Sequence, residues 1–225
     1  MKIKFGALVV AGSGKIGGHV AAKNRGGAYL RTKVTPTNAK TPAQLVARSL
    51  LASLSTAWGL LTEAQRTAWN AAVALFATTD IFGDMRNPSG INLFVKINAN
   101  RVNVDRSILN DVPPKQEVPF SPLTAVSFSI ATSIMTFTFG DIAFNGIDGL
   151  IRGTGKLGLG VSFVKSQLRV IGFTDNLGTP LLMGAAYVAK FGAPVIGDNI
   201  FISVHPTVES GQKGIEQKVK LTITA

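Results

Sequence analysis

Asp111-Val112-Pro113-Pro114-Lys115 separates two hydrophobic rhythms, and the change across it decides the fold class. Upstream, apolar residues recur at helical spacing: Leu45, Leu50, Leu51, Leu54, Trp58 and Leu61, then Trp69, Ala72, Val73 and Phe76. Intervals of three and four residues put side chains on one face of a helix. Downstream the interval is two. Val126, Phe128 and Ile130 alternate with Ser127 and Ser129; Phe137 and Phe139 follow the same rule, as do Ile200, Ile202 and Val204. At the end, Val219, Leu221 and Ile223 alternate with Lys218, Lys220, Thr222 and Thr224. Strict alternation marks a half-buried strand. The paired prolines between the two regions can continue neither a helix nor a central strand. An α+β chain is expected, helices first.

The helical region shows its own start signals. Thr41-Pro42-Ala43-Gln44 sets Thr at the N-cap, Pro at the first helical position and Gln at the capping-box position. Thr62-Glu63-Ala64-Gln65 repeats the box, and the short Gly59–Leu61 connection implies a helical hairpin. A third helix is expected from Ile91 to about Val102, with Leu93, Phe94, Ile97 and Arg101 spaced to pack and tether. Its four asparagines, Asn92, Asn98, Asn100 and Asn103, favour it only if their amides find partners. A DNA-reading helix-turn-helix is the sharper alternative. The second helix, however, offers only Gln65, Arg66 and Asn70 as polar readers, while Trp69 and Phe76 look like packing residues.

Beyond the prolines, further strands are expected near 157–164, 167–173 and 185–191, about seven or eight in all, with Gly, Asp and Asn in the turns. That spacing is typical of an antiparallel sandwich of immunoglobulin-like or fibronectin-like type, without the Cys pair of antibody domains. Arg152-Gly153-Thr154-Gly155-Lys156 reads as a loop between strands in preference to an anion nest.

Working outward to the N-terminus, charge becomes the signal. Residues 1–62 carry nine basic side chains and no acid before Glu63, in a chain whose formal charge is +11. Gly, Thr and Pro dominate from Gly12 to Asn38 and apolar periodicity is missing, so residues 1–40 are expected to form an extended basic arm. Gly12-Ser13-Gly14-Lys15-Ile16-Gly17 matches a dinucleotide-binding string, but no acid follows at the required distance and Gly26-Gly27 breaks any helix. It reads as a glycine hinge. The expected organisation is an arm over 1–40, a helical domain over 41–111 and a sandwich over 112–225. Lys15, Lys23, Arg25, Arg31, Lys33 and Arg48 are the candidate electrostatic anchors for a partner, and Tyr29 and Trp58 the apolar ones. An acidic protein groove and a nucleic-acid strand both fit this set.

The remaining composition excludes more than it suggests. Hydrophobic content of 46% and charged content of 16% are those of a folded chain. There is no cysteine, so disulfides, thiolate metal sites and thiol nucleophiles are out. His19 and His205 have no metal-ligand partner at a suitable spacing, and the carboxylates Asp141, Asp148, Asp175 and Asp198 stand singly in turns. No enzyme, cofactor or metal is expected. Lys2 and Lys4 before an apolar run at 5–11 imitate a signal peptide, but the run is short and no small-x-small site follows, so neither a targeting signal nor a membrane anchor is expected.

One resemblance rests on a string of local motifs. Gly-Lys-Ile-Gly (14–17), Arg-Gly-Gly-Ala-Tyr-Leu-Arg (25–31), Pro-Thr-Asn (36–38), Thr-Pro-Ala-Gln (41–44), Trp58 with the 61–69 segment ending in Trp69, and Ser-Gly-Ile-Asn-Leu-Phe (89–94) belong to it. Together they resemble a loosely characterised group of tailed-bacteriophage and prophage virion structural proteins, over about residues 12–100. The resemblance implies a homo-oligomeric capsid, decoration or neck component, assembled in the host cytoplasm. Its partners would be copies of itself, other virion proteins and packaged nucleic acid. A nucleic-acid-binding protein that sets its arm on phosphates is the competing expectation.

Overall fold

The computed structural model describes residues 1–4, 12–24, 26–35, 37–120, 122–129, 132, 134–139, 147–158, 160–175, 177 and 183–223. Ile130, Asp141, Thr224 and a strand at 5–10 lie outside these residues. Contacts divide the chain into two compact units, Met1–Ser49 with Ala77–Arg86, and Leu50–Phe76 with Asn87–Ala225. These limits differ from the sequence boundaries at 40 and 112.

The first unit is a β-structure where an extended arm was expected. Strands β1 (Gly14–Ile16), β2 (His19–Asn24) and β3 (Gly27–Thr32) form an antiparallel meander. The turn between β1 and β2 uses Gly17 at φ +56°, a region that other residues enter at a cost. The glycine motif is therefore a hairpin turn. Met1–Lys4 runs along the free edge of β3: the Ile3 amide donates to Ala28 O at 3.0 Å and the Leu30 amide to Met1 O at 2.8 Å. A two-residue hairpin, β4 (Thr78–Thr79) with β5 (Met85–Arg86), completes the unit. β3 thus pairs with its chain neighbour β2 on one edge and with the distant Met1–Lys4 segment on the other.

Helix α1 (Pro42–Leu60) begins as the sequence indicates, with Thr41 and Gln44 exchanging the capping-box bonds. Within it only Leu54 is fully buried; Leu45, Val46 and Leu51 are exposed. The division between the units falls inside this helix, after Ser49.

In the second unit, α2 (Glu63–Ala72) starts from the Thr62–Gln65 box and runs into a 3-10 turn, Val73–Phe76. Helix α3 (Gly90–Val102) starts from Ser89. The helices share a core of Leu61, Trp69, Ala72, Leu93, Phe94 and Ile97. Gly90 permits the close approach of α2 and α3, since a Cβ there would strike the Asn70 side chain. Two of the four asparagines, Asn98 and Asn100, find partners for their amides. Asn98, fully buried, takes both the amide and the carbonyl of Leu109, at 2.7 and 3.1 Å. Asn100 donates to Gly211 O at 2.9 Å, and Arg101 donates to Ser107 O and Glu209 O. The Pro113-Pro114 segment thus runs within a single compact unit, with Pro114 O accepting from Gln212.

The β region pairs as small antiparallel sheets. Strands β6 (Leu123–Ser129) and β7 (Ile134–Phe139) form a hairpin. Strands β8 (Asp148–Gly153), β9 (Arg169–Thr174), β10 (Asn199–Thr207) and β11 (Gln217–Thr222) form a sheet in the order β11-β10-β8-β9. Val126, Phe128, Met135 and Phe137 from the hairpin meet Ile200, Ile202 and Val204 in one core. The period-two reading therefore has the right phase. Three expectations fail. The described residues of 157–164 form no strand, only a bridge from Leu157 to Asn199. Residues expected as a strand at 185–191 belong to a helix, α4 (Gly184–Phe191). Tyr187 and Phe191, four apart, pack at 5.1 Å there, and the Tyr187 hydroxyl donates to Thr154 O. An apolar run this short fits either period, so its partners decide it. Finally, Arg152 and Gly153 end β8 and are not loop residues, while Thr154 is fully buried and tied to the Phe201 backbone. The fold class is α+β.

Candidate charged interaction surface

The strand register sorts the candidate anchors by face. Across the meander, Lys15 lies opposite Val20 and Val20 opposite Arg31, so the three share one row. Two strand spacings set Lys15 and Arg31 about 10 Å apart. Lys33, two residues beyond Arg31, falls on the same side by alternation, and its amide donates to Gly18 O at 2.9 Å. Tyr29, opposite Ala22, is on this face as well but half-buried. Lys23 is on the opposite face, opposite Ala28. Arg48, exposed on α1, donates to the Asn38 side chain at 3.1 Å. Arg25 lies outside the described residues. Trp58 is half-buried and packs against Phe94 at 5.5 Å, at the edge of the helical core of the second unit.

The turn-rich segment 78–90 reads from the sequence as a loop, and the β4–β5 hairpin within it was not foreseen. It supplies the unit's two carboxylates, and the structure shows both to be in use. Asp80 has a nearly covered side chain. It accepts from Arg86 at 2.8 and 3.2 Å, from the amides of Phe82 and Asp84, and lies 3.5 Å from Lys2. Asp84 pairs with Lys4 at 2.9 Å, and Lys4 also lies over the Phe82 ring at 5.3 Å. The unit has ten basic side chains against two acidic ones, a net +8. With both acids engaged, Lys15, Lys23, Arg31, Lys33, Lys40 and Arg48 form no ion pair among the described residues.

The Arg86 guanidinium holds the Asp80 carboxyl far below its ordinary value of 3.8, against burial, which pushes it up; the Phe82 and Asp84 amides and Lys2 add to the depression. A carboxyl depressed by folding stabilises the fold above its unfolded pKa, and that contribution fades as pH falls through and below that value. Acidification below about pH 4 should therefore release Met1–Lys4 and the hairpin first. Asp80→Asn should reproduce this at neutral pH. Hydrogen-exchange protection of the Ile3 and Leu30 amides is expected to fall roughly tenfold. Unchanged protection would mean that the ion pairs do not tie the segment down.

Among the described residues, no three side chains able to bind a metal come together, and no single helix is long and apolar enough to cross a membrane. Against known protein families, curated protein sequences and solved structures, the chain shows no match.

Proposed function

We propose that the chain is a non-enzymatic structural component of a tailed-bacteriophage virion, tied to neighbouring copies and other virion proteins through its basic first unit. One observation carries this reading: a net +8 in a small β-unit whose only acids are internally neutralised. Six exposed cations then have no ion pair among the described residues, three of them along one side of the meander. Such a surface repels itself unless something acidic covers it. The motif string over residues 12–100 supplies the virion context. We read the β region as a sandwich-like module, since its four-stranded sheet and the β6–β7 hairpin enclose one core.

Nucleic acid is the second reading, because the same cations suit phosphates. Tyr29 is half-buried and no other aromatic lies in the row, so the stacking platform of single-strand binders is missing from this face of the described meander. That favours a protein partner.

The test is charge reversal. Lys15→Glu, Arg31→Glu and Lys33→Glu together should leave circular dichroism unchanged and cut incorporation into purified particles by about tenfold or more. Wild-type incorporation of the triple variant would overturn the proposal. A low-salt gel shift by the native protein, fading steeply as salt rises, would move the assignment to nucleic acid.

A further inference from the structure

The meander has a second face, opposite the row of Lys15, Val20 and Arg31, and the strand register assembles it. Ile16 pairs with His19 and His19 with Thr32, so these three stand side by side across the strands, about 5 Å from one to the next. Ala21 and Leu30, each two residues along its strand, pair with each other and fall on the same side. Lys2 is bridged to Tyr29, which sets Met1 opposite Leu30, and the Leu30 amide donates to Met1 O at 2.8 Å. Met1, Ile16, His19, Leu30, Arg31 and Thr32 line a cavity of about 390 Å³ on the first unit. Its wall is mostly aliphatic, with the imidazole of His19 and the hydroxyl of Thr32 as hydrogen-bonding groups. Ile16 is nevertheless 63% exposed and Met1 81%. Large aliphatic side chains left open around a hollow mark a place where something apolar docks.

The charges around the hollow select the occupant. Arg31 lines it, Lys15 and Lys33 adjoin Ile16 and Thr32 in the chain, and Lys23 lies further along the same face. None of these four forms an ion pair among the described residues, and the unit's two acids are taken by Lys2, Lys4 and Arg86. A second copy of the chain, itself at +11, would bring like charge to this rim. An occupant that neutralises it must carry carboxylates on either side of the apolar group that fills the hollow.

We propose that this cavity takes one aliphatic or aromatic side chain from an acidic segment of a different protein, with Asp and Glu residues flanking that side chain and meeting Arg31, Lys15 and Lys33. An apolar anchor in a pocket supplies affinity, while the charged rim sets partner choice and speeds encounter. The proposal rests on the reading of the first unit as a partner-binding surface. It deepens that reading by selecting an acidic foreign chain over another copy.

The test needs no particle. A displayed library of random peptides is selected against the immobilised full chain at physiological salt. Recovered sequences should share a Leu, Ile or Phe set among acidic residues, and their binding should weaken as salt rises. Ile16→Ser, at an exposed position that the fold does not depend on, should weaken the recovered peptides by about tenfold, and Ile16→Leu should keep most of the affinity. Arg31→Gln should cost severalfold. Failure to recover peptides, recovery of sequences without acids, or binding indifferent to Ile16→Ser would each overturn the proposal. So would phosphatidylglycerol vesicles that bind through Ile16 where peptides do not, since the hollow would then face a membrane surface. Any of these leaves the virion reading to its own charge-reversal test, and failure of that test leaves peptide recovery unaffected.

Discussion

Replacing Trp69 with alanine is expected to lower the stability of the second unit by about 4 kcal/mol. Trp69 is fully buried. Its ring meets Phe94 edge-on at 5.4 Å, and Trp58 packs against the same Phe94 at 5.5 Å. The indole nitrogen donates to Asn110 O at 2.8 Å, so the side chain also fastens the segment that follows α3. Alanine opens a cavity between α2 and α3 and leaves that carbonyl without its donor. Trp69→Phe keeps much of the volume and loses the hydrogen bond, so about 1–2 kcal/mol is expected for it. Urea denaturation measures both, with Trp58 as the remaining fluorophore. A loss below about 1 kcal/mol for the alanine variant would mean that the three-ring cluster does not organise the helices.

Arg106→Leu should cost about 3 kcal/mol at neutral pH. The Asp148 side chain is 1% exposed and Arg106 binds both of its oxygens at 2.9 Å, so removing the guanidinium strands a buried carboxylate. The loss stays at the low end of the usual cost because Arg106 is itself 36% exposed and water replaces it in part. The double variant Arg106→Leu, Asp148→Leu should recover most of the loss, since no charge is then buried alone. A double variant as unstable as the single one would point to lost packing by the Arg106 stem instead.

These two sites also show what was legible without coordinates. The helix starts at Thr41 and Thr62, the Trp69 face and the inward phase of Val126, Phe128, Ile200, Ile202 and Val204 were all readable, because capping and periodicity act within a few residues. Helix α4 was not, since its short apolar run fits a strand equally well until Phe128 meets Tyr187. The Arg106–Asp148 pair joins residues 42 apart, beyond the reach of any local pattern. The contact of Trp58 with Phe94 joins two different helices and was equally out of reach.

The cationic anchors divide in the same way. Their number and the absence of nearby acids in the chain are matters of composition, and so are the α+β class and the change of period at Pro113-Pro114. Tertiary structure alone decided that Lys15 and Arg31 share a face, that Asp80 and Asp84 arrive from a distant hairpin to pair with Lys2 and Lys4, and that Ser203 and Thr207 on the polar face of β10 are buried. The physical reason is range. Propensity, capping and alternation are settled between near neighbours, whereas burial and charge compensation depend on strands and ion pairs that bring together residues far apart in the chain.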